Sequence, residues 1–147
     1  MKKIILYTDG ACSFNPGPGG WGCILMYKGL KKEMSGFESN TTNNRMELMA
    51  IIKGLEALKE GVDVEIYSDS AYVCNAFNQN WIENWIKNGW KNSSKKEVLN
   101  KDLWISLLNL LKEHKYKFIK VKGHADNEYN NRCDELATSE IKKNCLL

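Results

Sequence analysis

Proline is scarce in this chain: two in 147 residues, Pro16 and Pro18, both inside one short stretch. A proline-rich linker or ligand segment is therefore excluded. The five cysteines (Cys12, Cys23, Cys74, Cys133, Cys145) are odd in number and show no CxxC spacing, which argues against a disulfide framework and a zinc ribbon alike. They are expected to be reduced thiols. No apolar run approaches the ~20 residues that span a bilayer, and "MKK" leads into an apolar run of only strand length, not a secretory signal. A cytoplasmic, non-membrane protein is expected. Repeats, low-complexity tracts and heptads are also missing, so one ordinary monomeric domain is the expectation. A chain of this length buries roughly two-thirds of its unfolded surface.

The net charge is only +3, too small to prove an anionic partner, so its distribution carries the information. Residues 81 to 101 hold Lys87, Lys91, Lys95, Lys96 and Lys101 against Glu83 and Glu97. Residues 112 to 122 hold Lys112, Lys115, Lys117, Lys120 and Lys122 against Glu113. The first stretch also carries Trp81, Trp85 and Trp90. Tryptophan among lysines suits either a packed amphipathic helix or a face for nucleic acid, whose phosphates are gripped electrostatically.

Apolar patterning predicts a strand over Ile4 to Thr8, a loop over "SFNPGPGG", and a hairpin of Trp21 to Tyr27 with Met34 to Glu38. From Asn43 the period turns helical, with Leu48, Ile51, Ile52, Leu55 and Leu58 on one stripe ended by Gly61. Val64 to Ser68 reads as a strand, Ala71 to Asn78 as a short helix, Asp102 to Lys112 as a helix, Tyr116 to Val121 as a fifth strand, and the "DNEYNNRCDELATSEIKK" segment as a last helix. This alternation predicts an α/β fold: a five-stranded mixed sheet flanked by helices, with strands one, four and five parallel. Ligands of such sheets bind at the carboxyl ends of the parallel strands.

Two strands end there on an aspartate, Asp9 in "IILYTDG" and Asp69 in "VEIYSDS". Glu47 lies four residues before Ile51 and eight before Leu55, extending the buried stripe of its helix by a turn. Asp134 stands three before Ala137 and seven before Ile141 and borders the stripe of the last helix. Singly, each has an ordinary reading as a turn former, a cap or a solvated edge residue. Together, four inward carboxylates repel by roughly 1 to 4 kcal/mol per close pair and need a compensating cation. The two arginines, Arg45 and Arg132, are not forced inward by their spacing. An all-oxygen set suits Mg²⁺, and four carboxylates suit a pair of ions about 3.5 to 4 Å apart acting on a phosphodiester. His124 follows strand five in "VKGHAD" and titrates near neutrality, which suits proton transfer.

"YTDGAC", "NPGPGGWG", "TTNNRMELMA", "YSDSAYV", "WKNSSKKEVLNKDLW", "VKGHA" and "NNRCDELA" resemble, in order and spacing, type 1 ribonuclease H in its bacterial form with a basic handle. The resemblance covers about residues 3 to 142 and divides the chain into a catalytic domain over 1–142, its handle at about 81–98, and a tail over 143–147. It implies a ribonuclease H-like fold and endonucleolytic hydrolysis of the RNA strand of an RNA/DNA hybrid, leaving 5′-phosphate and 3′-hydroxyl ends. By matched motif it implies that Asp9, Glu47, Asp69 and Asp134 bind two Mg²⁺ ions during catalysis, with Mn²⁺ as a substitute, and that His124 assists proton transfer or product release. Asn15, Asn43 and Asn44 match positions that meet the RNA minor groove and 2′-hydroxyls, Thr42 matches a contact to a DNA phosphate, and the handle, with Trp81, Trp85, Lys87, Trp90, Lys91, Lys95 and Lys96, matches the protrusion that grips DNA. Ala71 departs from the glutamine often found after "YSDS", and the loop after His124 is divergent. Two other expectations compete: a hybrid-binding module without chemistry, and another nuclease of the same fold, such as a resolvase or a transposase-like enzyme.

Overall fold

The computed structural model describes residues 1–122 and 127–145. The elements run β1 (Lys3–Cys12), β2 (Gly17–Tyr27), β3 (Leu30–Thr41), α1 (Asn43–Glu56), β4 (Asp63–Ser68), α2 (Ala71–Asn78), α3 (Trp81–Lys87), α4 (Lys101–Leu111), β5 (Lys115–Lys120) and α5 (Glu128–Asn144). The strands form one sheet in the order β3-β2-β1-β4-β5. β1 pairs antiparallel with β2 and parallel with β4, and β4 pairs parallel with β5. The expected mixed five-stranded sheet is therefore present.

The hairpin strands are longer than their apolar patterns. β2 begins at Gly17, inside the expected loop, because Gly19 and Gly20 pair with Cys12 and Ala11. A register irregularity between Gly17 and Gly19 absorbs Pro18, whose missing N–H cannot join a regular ladder. β3 runs for 12 residues although poor in β-branched side chains, since it is an edge strand and Lys31 and Lys32 suit an edge that must not pair further. α1 stops at Glu56, short of Gly61. The Ala57 and Leu58 amides donate to the Gly54 and Leu55 carbonyls at 3.3 and 3.1 Å, a tightening to i→i+3 bonds that closes the helix.

The core lies between the sheet and helices α1, α2 and α4, around Leu6, Leu48, Ile51, Leu55, Val64, Ile66, Trp104 and Leu107. α5 packs on β2 and β1 and on the edge strand β3. It approaches the sheet closely at Gly22, where a Cβ would run into the Cys133 carbonyl and the Leu136 side chain. No helix among the described residues is long and apolar enough to cross a membrane.

Candidate active site

β1 and β4 run parallel in a register that pairs Tyr7 with Tyr67, so the acids two residues further on stand at the same level; Asp69 follows the end of β4 as expected, whereas β1 does not end on Asp9 but continues to Cys12, because Asp9 to Cys12 pair with Gly22 to Gly19 of β2. The Thr8 hydroxyl donates to the Tyr67 carbonyl at 2.9 Å and ties the two strands together. Glu47 arrives from the first turns of α1, whose backbone lies directly over Gly10: a Cβ there would collide with the Glu47 amide nitrogen and the Met46 carbonyl carbon. The Gly10 N–H donates to Asp9 Oδ1 at 2.9 Å and to Glu47 Oε1 at 2.7 Å. The other Glu47 oxygen accepts from the Ser68 hydroxyl at 3.4 Å, and the Ser70 amide donates to that hydroxyl at 3.1 Å.

One carboxylate oxygen each of Asp9, Glu47 and Asp69 lies within 4.8 Å of the others. Asp9 is 3% exposed and Glu47 7%. Asp134, on α5, joins them in lining an open cleft of about 250 Å³ with Gly10, Asn43 and Ser70, although it stands outside the tight set of three. The periodicity argument for an inward Glu47 and for Asp134 at the stripe edge agrees with these positions.

Burial pushes the Asp9 carboxyl far above the ordinary carboxylate range, and repulsion from Glu47, Asp69 and Asp134 adds to it. Burial raises Glu47 as well, partly offset by its hydrogen bonds to Asp9, Gly10 and Ser68. Without added positive charge the cluster therefore retains protons. The arginines do not supply it. Arg45 forks onto Asp102 at 3.0 and 2.7 Å and reaches Asn100, while Arg132 is taken by Glu33 and Glu135. Clustered, converging oxygens with no ammonium or guanidinium bound to them among the described residues fit a hard divalent cation.

The rim of the cleft is polar. The Asn43 amide donates to Asn15 Oδ1 at 2.9 Å, which holds the loop after β1 against the start of α1. Asn43 and Asn44 are exposed there. Thr42 is the N-cap of α1, its hydroxyl accepting from the Arg45 amide at 3.2 Å, so it has a structural duty alongside the expected phosphate contact.

A family model for RNase H matches residues 1–142. This chain belongs to the ribonuclease H family. Over 144 residues it is 65% identical to a ribonuclease H of Acetivibrio thermocellus, covering 98% of this chain and 98% of that protein. The fold is similar to that of LC9-RNase H1, a type 1 RNase H with the type 2 active-site motif, with TM-score 0.86 and 26% identity over 97% of this chain and 73% of the other. It is also similar to LC11-RNase H1, whose structure was solved in complex with an RNA/DNA hybrid, with TM-score 0.76 and 27% identity over 97% and 99% of the two chains. Type 1 ribonuclease H is thus the group to which the chain is related.

In this member of the family the tryptophans of the lysine-rich segment are packed against the core. Trp85 lies 5.4 Å from the fully buried Trp104, 6.3 Å from Trp81 and 6.1 Å from Trp90, ring centre to ring centre. Trp81, Trp85 and Trp90 are each half-buried, which favours the packed reading over a row of free stacking platforms. Lys87, Lys91, Lys95 and Lys96 are exposed. Residues 91–97 form a tight loop: Asn92 Oδ1 accepts from the Ser94 and Lys96 amides at 2.9 and 3.1 Å. His124 lies outside the described residues. The Gly10 and Ser70 amides and the Ser68 hydroxyl were not singled out by sequence, although the glycine directly after Asp9 and the "SDS" flanks of Asp69 were available signals.

Proposed function

We propose that this protein is an endonuclease that hydrolyses the RNA strand of RNA/DNA hybrids by a two-metal-ion reaction, yielding 5′-phosphate and 3′-hydroxyl ends. The observation that carries the reading is the set of three converging carboxylates, two of them buried, with Asp134 lining the same open cleft. Asp9, Glu47, Asp69 and Asp134 would hold Mg²⁺, or Mn²⁺ in its place. Ions bound there supply Lewis acidity, activation of the attacking water and stabilisation of the leaving oxygen.

The protein's own groups do the rest. The shared Gly10 N–H keeps Asp9 and Glu47 at fixed separation, and both must lose their protons to bind a cation. Asn15, Asn43 and Asn44 present short amides to the minor groove, where the 2′-hydroxyl distinguishes RNA from DNA. Thr42 and the exposed Lys87, Lys91, Lys95 and Lys96 take phosphates of the DNA strand, and His124 moves a proton or helps product leave. The hybrid bound by LC11-RNase H1 supports the same partner here.

The test is one incubation of a 5′-labelled RNA/DNA hybrid with and without EDTA, beside single-stranded RNA and duplex DNA. Internal cuts in the RNA of the hybrid alone, abolished by EDTA, are expected. Cutting that persists in EDTA, or a preference for duplex DNA, overturns the proposal; tight binding without cutting makes the protein a hybrid-binding module.

A further inference from the structure

Three tyrosines from three elements pack ring against ring. Tyr7 on β1 and Tyr67 on β4 are paired residues of neighbouring parallel strands, and their rings stack at 4.9 Å with an interplanar angle of 27°. The Tyr129 ring, from the first turn of α5, lies 5.1 Å from the Tyr7 ring, tilted by 32°. Each strand tyrosine stands two residues before a cleft aspartate, Tyr7 before Asp9 and Tyr67 before Asp69, and side chains two apart on a strand share a face. Tyr129 opens the helix that carries Asp134.

Asp134 needs such a support more than the other acids. Asp9 and Asp69 are delivered by adjacent, hydrogen-bonded strands, and Glu47 is anchored by Gly10 and Ser68. Asp134 hangs from a helix whose close approaches to the sheet lie at Gly22, under Cys133 and Leu136, and at Gly20, under Ala137, all of them at or C-terminal to Cys133, so its first turn must be seated by other contacts. Tyr129 is one turn N-terminal to Cys133, about 6 Å along the axis. Against Tyr7 it seats that first turn on β1, the strand that carries Asp9. The alternative tie, Arg132 to Glu33 on β3, joins groups 44% and 42% exposed, where water screens the attraction. The helix start is further stiffened by Asn127, whose Oδ1 accepts from the Tyr129 and Asn130 amides at 3.0 and 3.1 Å.

We infer that the Tyr129–Tyr7–Tyr67 stack is a positioning device that sets Asp134 against Asp9 and Asp69, so that its loss weakens divalent-ion binding by the cleft. This rests on the functional reading above. The three rings are not part of the cleft lining; they act through the placement of α5.

The experiment is calorimetric titration of Mn²⁺ into the full-length protein, with thermal unfolding followed alongside. Tyr129→Ala is expected to raise the dissociation constant roughly ten-fold, the low end of what loss of an outer support does to a metal site. Tyr129→Phe, which keeps the ring, should bind Mn²⁺ like the parent, and Tyr67→Leu, at the far end of the stack, should shift binding less than Tyr129→Ala. If Tyr129→Ala does not fold, Tyr129→Leu carries the same comparison. Equal Mn²⁺ affinity in the parent and the variant lacking the ring overturns the inference, as does a Tyr129→Phe variant that binds as poorly as Tyr129→Ala. A parent protein that binds no Mn²⁺, or an Asp9→Asn variant that binds it undiminished, overturns the functional reading itself.

Discussion

Asp9 and Glu47 sit at 3% and 7% exposure, share one backbone donor, and belong to elements locked into the core. Lys91, Lys95 and Lys96 stand in water on a loop whose shape comes from Asn92 and from left-handed backbone at Trp90 and Lys95. The acids are thus placed by long-range packing, and the lysines by contacts a few residues away. A charge that must meet a cation at a defined distance requires the first kind of support. A charge that only has to lie near a polyanion is served by the second, because phosphate attraction tolerates loose geometry.

The sharpest way to break this contrast is at Asp9. Asp9→Asn removes one ligand charge while keeping the shape, and cleavage of a labelled hybrid should fall by roughly a thousand-fold, about 4 kcal/mol of barrier, with hybrid affinity retained in a binding assay. Substantial residual turnover would remove Asp9 from the ligand set. Next in size is the root of the lysine segment: Trp85→Ala strips a ring packed on Trp104 and should destabilise the fold by about 2 kcal/mol, below the range for fully buried tryptophans because Trp85 is half-exposed. Chemical denaturation measures it, and an unchanged midpoint would mean that the handle is not part of the core.

A third test uses pH on ion-free protein. The folded state holds the Asp9 and Glu47 carboxyls above their unfolded values, by burial first and then, for Asp9, by mutual repulsion. The stability this contributes is fully present below the unfolded values near 4 and is lost as pH rises through the raised folded ones. In EDTA, the unfolding temperature should therefore fall between about pH 5 and about pH 8, by the equivalent of about 1 to 2 kcal/mol, and Asp9→Asn should flatten the decline. A rise over the same interval would contradict the carboxyl assignment. The smallest effect belongs to the lysines. Changing Lys91, Lys95 and Lys96 together to alanine should leave the unfolding midpoint unmoved, raise KM for hybrid about ten-fold and flatten the salt dependence of binding by about three phosphate equivalents.

Much of this organisation is legible in the sequence because it is periodic. Asp9, Asp69 and Glu47 stand out as acids that break or extend an apolar pattern, and the alternation of strand and helix predicts three parallel strands. What does not show is set by partners distant in the chain. β2 reaches into the glycine-proline stretch only because β1 and β3 offer it edges to pair with. Thr42 reads as a substrate contact, while its capping of α1 depends on where the helix starts. The tyrosine stack requires the Tyr7–Tyr67 register and the docking of α5, neither of which has a local signal. The tryptophans left two readings open, since spacing alone does not say that Trp104 waits beneath Trp85.

The Arg45 fork onto Asp102, with Asn100 beside it, joins the start of α1 to the point where the handle returns to α4. On the proposed reading, α1 bears the residues that meet the RNA groove and the handle bears those that meet the other strand. A bidentate guanidinium clasp between groups 33% and 65% exposed restrains, without fixing, the interval between the two grips. The protein would then work as a compliant calliper, favouring duplexes whose width lets both jaws close on them at once.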